Sequence, residues 1–283
     1  MSEIRSVAVV GAGTMGNGIA QVCAVSGMKV SLRDVSTDAL ARALAAIGAS
    51  LAKLVEKGKL SAEDRELAIG RIRTTTGLPE AVEGADLIVE AIPERMDWKL
   101  ELFAELGRIA KPDALLGTNT SSLSVTEIAG ASGAPERVVG LHFFNPVPLM
   151  QLLEIVRGLL TSDGTIERAS SFARAIGKEP IVVKDSPGFA TSRLGVILGV
   201  EAIRMLETGV ASAEDIDKAM ELGYRHPMGP LKLGDLVGLD VRLAILEHLH
   251  EELGEQFRPP SLLRQMVRAG KLGRKTGEGF YKY

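Results

Sequence analysis

Residues 6–26 read SVAVVGAGTMGNGIAQVCAVS. Ser6–Val10 is a continuous short apolar run, the pattern of a strand buried on both faces of a parallel sheet. It runs into Gly11, Ala12, Gly13, Thr14, Met15 and Gly16, and a helical pattern over Asn17–Ser26 follows, ending at Gly27. This is GxGxxG between a strand and a helix. Gly11 permits the tight turn, Gly13 lets a pyrophosphate approach the backbone, and Gly16 lets the helix pack closely. The helix N-terminus offers free N–H groups to phosphates. Glycine-rich turns also serve purely structural roles, so the motif needs its surroundings.

The surroundings supply a βαβ unit. Lys29–Leu32 reads as the second strand and delivers Asp34, 23 positions after Gly11. An acid there accepts from the adenosine ribose hydroxyls and repels a 2′-phosphate, which favours NAD over NADP. Arg33 beside it could accommodate that phosphate, and the alternative that Asp34 merely caps the next helix loses to the combined spacing of the glycines and the acid. A long amphipathic helix over 36–57, N-capped by Ser36, and a short one over 61–69 come next. Lys53, Lys57 and Lys59 near the end of the first read from spacing as a solvated face. Strands are predicted over 71–76, 86–92, 114–117, 138–143 and 180–183, with helices over 97–110 and 162–176. In an open parallel sheet, ligands bind outside the carboxyl ends of the strands. That places Glu94 and Lys99 on the ligand side, with Asn119 and Ser121 in the run Thr118–Ser122, which also suits a turn and helix cap.

The stretch 137–156, RVVGLHFFNPVPLMQLLEIV, carries the candidate chemistry. His142 closes an apolar strand. Pro146 and Pro148 fix φ and remove donors, so Asn145–Pro148 reads as a rigid, extended turn. Glu154 follows among Leu152, Leu153, Ile155 and Val156, an expensive place for a carboxylate without a partner. A His142–Glu154 acid/base pair is expected. From the residues alone, His142 is as well explained as a satisfied core histidine. His226, His248 and His250 have no such context. Cys23 reads as helix core.

After Asp185 the alternation stops and helical patterns remain, over 194–205, 213–222, 230–253 and 260–269. The fold class is therefore α/β, a mostly parallel sheet domain (1–185) followed by an all-α domain (186–283). The helix over 194–205 is apolar nearly all round and should be buried within or between subunits. Composition is ordinary, 46% hydrophobic and 24% charged over 283 residues, with net charge −3. No basic stripe supports nucleic-acid binding. One cysteine excludes an internal disulfide and a zinc cluster. No signal peptide or membrane-spanning run is visible, and a cytoplasmic protein is expected.

GAGTMG, TNTSSL, LHFFNPVP, KDSPGF, PMGP and KTGEGFYKY, in that order, together resemble the 3-hydroxyacyl-CoA dehydrogenases, and in particular the short 3-hydroxybutyryl-CoA dehydrogenases. The resemblance runs essentially end to end. It implies a Rossmann-like domain, a helical domain that shares the substrate cleft and forms a homodimer, and oxidation of an (S)-3-hydroxyacyl-CoA with NAD, or the reverse. By motif, His142 would be the general base, Glu154 its orienting partner and Ser121 a donor to the substrate oxygen. Asn145 would steady the loop carrying His142. Asp34, Glu94, Lys99, Asn119 and Lys275 would join the glycine loop in holding NAD, and Ser50 and Lys57 would touch coenzyme A. No metal is implied. Where many members carry Asn after KDTPGF-x-x, this chain has Ser192, near the substrate carbonyl. Two other readings remain at this point: a β-hydroxyacid dehydrogenase acting on a free acid, and a cofactor-binding structural relative without activity.

Overall fold

The computed structural model describes residues 4–283. Its contacts divide the chain into a unit ending at Asp185 and a second unit, Ser186–Tyr283.

The first unit runs β1 (Ser6–Val10), α1 (Thr14–Val25), β2 (Lys29–Arg33), α2 (Thr37–Glu56), α3 (Ala62–Gly70), β3 (Ile72–Thr75), α4 (Leu78–Val82) and β4 (Leu87–Glu90). It continues through α5 (Met96–Ile109), β5 (Leu115–Thr118), α6 (Val125–Ala131), β6 (Val138–Phe143), β7 (Leu152–Arg157), α7 (Asp163–Ala175) and β8 (Glu179–Lys184). The strands form one 8-stranded sheet in the order β3-β2-β1-β4-β5-β6-β7-β8. All neighbours pair in parallel except β6 and β7, which are antiparallel. The chain leaves β1 toward β2 on one side and takes up β4 on the other. That reversal is the topological switch point where ligands of open sheets bind.

Strand residues alternate between faces, and this decides which side chains can meet. Val7 and Val9 of β1, with Leu87 and Val89 of β4, pack in the core layer beneath α1. Ala8, Val10 and Ile88 face the opposite layer with Phe103 and Leu106 of α5 and Ile128 of α6. Continuing the period, Glu90, Thr118, His142 and Glu154 fall on this second face. Each fully buried Leu, Ile or Phe in these layers contributes roughly 1.5–3 kcal/mol. Ser36 caps α2 as expected, its side chain accepting from the Ala39 amide.

The second unit is helical: α8 (Thr191–Glu207), α9 (Ala213–Lys218), α10 (Pro230–Val237), α11 (Leu239–Leu253) and α12 (Ser261–Arg268). One expectation needs correction. The helix predicted over 230–253 is broken at Gly238, whose φ of +105° lies outside helical space and suits only glycine. The segment 194–205, expected to be buried within or between subunits, buries one face in this unit. Val196, Val200, Ala202 and Ile203 face its core, whereas Leu194 is 68% exposed. The C-terminal tail is fastened by two buried carboxylates. Asp235 accepts from the Phe280 and Tyr281 amides, and Asp217 accepts from the Leu231 amide and the Tyr281 hydroxyl. Among the described residues no helix is long and apolar enough to cross a membrane.

Candidate active site

The loop after β1 is built by close backbone approach. A Cβ at Gly16 would lie 1.7 Å from the Gly11 carbonyl oxygen, and one at Gly11 would lie 2.4 Å from that of Ala91, with φ already at +107°. At Gly13 nothing lies within 4 Å of a Cβ, so this position opens onto free space at the start of α1. Asp34 follows β2 and is tied to the loop itself: its carboxylate accepts from the Ala12 amide at 2.8 Å and the Ser36 amide at 3.0 Å. These bonds fix the Asp34 carboxylate between the glycine loop and the residue that caps α2. Arg33 donates from Nε to the Thr76 carbonyl at 3.2 Å. Gly11, Gly13, Asp34, Val35, Ala91 and Trp98 contribute to a cavity of about 740 Å³ over the carboxyl ends of these strands. A cleft of this size, with an open glycine backbone at a helix N-terminus and an acid after the second strand, fits a dinucleotide.

At the end of β4 the structure assembles a network that the sequence reading only partly anticipated. Lys99 of α5 is fully buried. Its ammonium lies 2.7 and 2.8 Å from the two carboxylate oxygens of Glu90 and 3.2 Å from Glu94 Oε2. It was expected on the ligand side, but α5 turns position 99 inward onto the sheet, so Lys99 meets carboxylates rather than the open rim. Glu94 Oε1 accepts from the Thr120 hydroxyl at 2.5 Å, the Ser121 amide at 2.9 Å and the Ser121 hydroxyl at 3.4 Å. Burial works to raise the Glu94 carboxyl. The charge of Lys99 and the donors from Thr120 and Ser121 outweigh it and hold the group below the usual carboxylate range. Asn119 is occupied in pinning strand ends together: its amide donates to the Glu90 carbonyl at 2.8 Å and its side-chain oxygen accepts from the Phe143 amide at 3.0 Å.

The antiparallel register of β6 and β7 sets His142 opposite Glu154. His142 Nδ1 lies 2.7 Å from Glu154 Oε2, with Glu154 fully buried and His142 nearly so. A carboxylate can only accept, which assigns the ring hydrogen to Nδ1 and the basic lone pair to Nε2. Phe144 packs against the imidazole in a tilted arrangement, with ring centroids 4.4 Å apart and planes at 44°. The segment between the strands is a compact turn rather than the extended one expected, since the Leu149 and Met150 amides both donate to the Pro146 carbonyl. Asn145, expected to steady the loop carrying His142, makes no side-chain hydrogen bond among the described residues, and the turn is braced from another element. Lys178 does that work: its buried ammonium donates to the Val147 and Met150 carbonyls at 2.5 and 2.6 Å.

The remaining candidates lie elsewhere. Ser50, half-buried on α2, and Lys57, the exposed residue that ends the helix, lie two helical turns apart with Lys53 between them. In the second unit, Ser192 is in the first turn of α8 and half-buried, while Lys275 pairs with both oxygens of Asp240 at 2.5 and 2.7 Å. Among the described residues no cluster of His, Cys, Asp and Glu could hold a metal. Glu90 and Lys178 are absent from the candidates read from the sequence, and Thr118 enters only as the first residue of the run Thr118–Ser122. Glu90 carried a readable signal, an acid closing the apolar run LIVE, the same signal that exposed Glu154.

Comparison with known proteins agrees with this architecture. Residues 6–186 match the family model described as 3-hydroxyacyl-CoA dehydrogenase, NAD binding domain, and residues 188–283 match that of the 3-hydroxyacyl-CoA dehydrogenase C-terminal domain. A probable 3-hydroxybutyryl-CoA dehydrogenase of Deinococcus radiodurans is 50% identical, over 97% of this chain and 99% of its own. A 3-hydroxybutyryl-CoA dehydrogenase of Bradyrhizobium diazoefficiens is 44% identical, over 99% and 96%. The crystal structure of an (S)-3-hydroxybutyryl-CoA dehydrogenase from Ralstonia eutropha superposes with a TM-score of 0.96 at 44% identity, covering 99% of each chain. The chain belongs to the 3-hydroxyacyl-CoA dehydrogenase family, whose NAD-binding domain its first unit forms.

Proposed function

We propose that this chain interconverts (S)-3-hydroxyacyl-CoA and 3-ketoacyl-CoA with NAD, and that 3-hydroxybutyryl-CoA is its substrate. The observation that carries the reading is the buried His142–Glu154 pair at 2.7 Å. Oxidising a secondary alcohol requires removal of the hydroxyl proton as hydride leaves carbon. NAD, when bound, supplies the hydride acceptor. His142 Nε2 takes the proton, and the Glu154 carboxylate on Nδ1 fixes the tautomer and stabilises the imidazolium that forms. In the reverse direction the imidazolium returns the proton. Ser121, held by Glu94 through its amide, donates to the substrate oxygen as charge develops there.

The open backbone at Gly13, with Gly11, Ala12, Thr14, Met15 and Gly16, holds the pyrophosphate, and Asp34 takes the adenosine ribose. Glu94, Asn119 and Lys275 complete the NAD contacts in this reading, and Ser50 and Lys57 hold coenzyme A. Ser192 donates near the substrate carbonyl in place of asparagine, which alters efficiency without abolishing activity. A homodimer formed by the second unit accords with the exposed Leu194, Leu236, Val237 and Val241, and a cytoplasmic location with a CoA substrate.

Steady-state reduction of 3-ketoacyl-CoAs of several lengths, and of free acetoacetate, with NADH and NADPH tests this. Turnover of acetoacetyl-CoA with NADH, and little with free acetoacetate, is expected. A preference for the free acid would replace the reading with a β-hydroxyacid dehydrogenase. NADH binding without any reduction would leave a cofactor-binding protein.

A further inference from the structure

Glu90, Lys99 and Glu94 are two carboxylates sharing one ammonium. Around Glu90, Oε1 receives Lys99 Nζ at 2.7 Å and the Ile92 amide at 2.8 Å, and Oε2 receives Lys99 Nζ at 2.8 Å and the Thr118 hydroxyl at 2.6 Å. Around Glu94, the neighbours within hydrogen-bond reach are Lys99, Thr120 and Ser121. Every one of these contacts brings a donor to a carboxylate oxygen, and two acids meet one amine. The triad therefore carries one excess negative charge. Glu90, Lys99 and Thr118 are fully buried, where a charge is weakly screened and acts over longer distances than at a surface.

Its position gives that charge something to act on. Glu90 ends β4 beside the glycine loop, paired with Val10 of β1, and its own Oε1 anchors the amide of Ile92, the residue after the Ala91 carbonyl against which Gly11 packs. Through Glu94 the triad also holds Ser121, 2.9 Å away at its amide. The ring of NAD is cationic when oxidised and neutral when reduced, so the two forms differ by one positive charge at the reacting end.

We propose that Glu90 is a positioning residue that sets the charge balance of the dinucleotide site, its excess negative charge favouring oxidised NAD over NADH while Lys99 and Glu94 transmit its placement to Ser121. This deepens the NAD-dependent reading and rests on it. A single buried charge across partly polar protein changes such a preference by roughly tenfold.

The test is the dissociation constants of NAD and NADH, by calorimetry and NADH fluorescence, for the full chain and three variants. Glu90→Gln keeps the shape and removes the charge, and its ratio of Kd for NAD to Kd for NADH should rise roughly tenfold. Glu94→Gln, on the more exposed partner, should move the ratio in the same direction and decides the matter if Glu90→Gln does not fold. Thr118→Val removes the donor at 2.6 Å but keeps the charge, and should leave the ratio within about twofold of the parent, well short of that tenfold effect. Ratios unchanged in both glutamine variants, or shifted as far by Thr118→Val, overturn the inference while the NAD reading stands. If the parent chain binds neither dinucleotide, the NAD reading fails and the inference falls with it.

Discussion

Replacing Glu154 by Gln removes one charge from the His142 pair and leaves its shape. In the structure the carboxylate is fully buried and 2.7 Å from Nδ1. Two unit charges about 4 Å apart in an effective dielectric of about 20 attract by about 4 kcal/mol. The glutamine oxygen can still accept from Nδ1, retaining about 1 kcal/mol. Roughly 2–3 kcal/mol of imidazolium stabilisation is then lost, a fall of about 30- to 150-fold in kcat. The direction of assay matters. In oxidation the imidazolium forms during the step, so the loss appears in kcat for 3-hydroxybutyryl-CoA with NAD, followed by NADH absorbance. In reduction the imidazolium is already present before the step, and the same loss is partly offset by a stronger acid. H142Q should lose at least ~100-fold. Because the carboxylate acts only through the ring, the E154Q/H142Q double variant should lose little more than H142Q alone, within about threefold. An E154Q oxidation kcat within about threefold of the parent, with circular dichroism confirming the native fold, would refute the reasoning. So would a double variant showing the product of the two losses.

G13A should fold normally, since nothing lies within 4 Å of the added carbon, yet lose NADH affinity at least ~10-fold by blocking pyrophosphate approach; G16A, with its carbon 1.7 Å from a backbone carbonyl, should instead show a lowered Tm. Should G13A bind NADH as the parent does, the phosphate role of the loop fails. D34N should raise kcat/KM with NADPH relative to NADH at least ~10-fold, by removing the charge that repels a 2′-phosphate; an unchanged ratio would leave Asp34 as a brace for the Ala12 amide alone. Burial pushes the Cys23 thiol up to about 12, so a thiol reagent should leave the native protein unlabelled and modify one cysteine after unfolding in guanidinium; rapid native labelling would contradict the buried placement. Glu94 is held below its ordinary range, so its stabilising contribution is present above about pH 4.3, the unfolded value, and disappears as pH falls through the lower folded one. The acid limb of a Tm-against-pH curve should be shallower for E94Q than for the parent, and coincident limbs would rule this out.

Much of the first unit could be read from residue order because its signals are local. Apolar runs of strand length, a glycine turn before a helix, Ser36 as a cap and an acid 23 positions beyond Gly11 each depend on neighbours along the chain. The His142–Glu154 pair was legible for a different reason: a carboxylate among aliphatic residues demands a partner, and the nearest suitable one closes the preceding strand. The same rule applied to LIVE would have exposed Glu90, but its partner is not local. Lys99 looks like any charge on an amphipathic helix. Only the packing of α5 against the second face of the sheet turns it inward between two acids. Lys178 is hidden likewise, since its acceptors, the Val147 and Met150 carbonyls, come from a turn about thirty residues away. The break at Gly238 and the half-exposed face of α8 follow the same division. Helical periodicity shows which residues share a face, whereas long-range packing decides which of those faces is covered and which buried charges find each other.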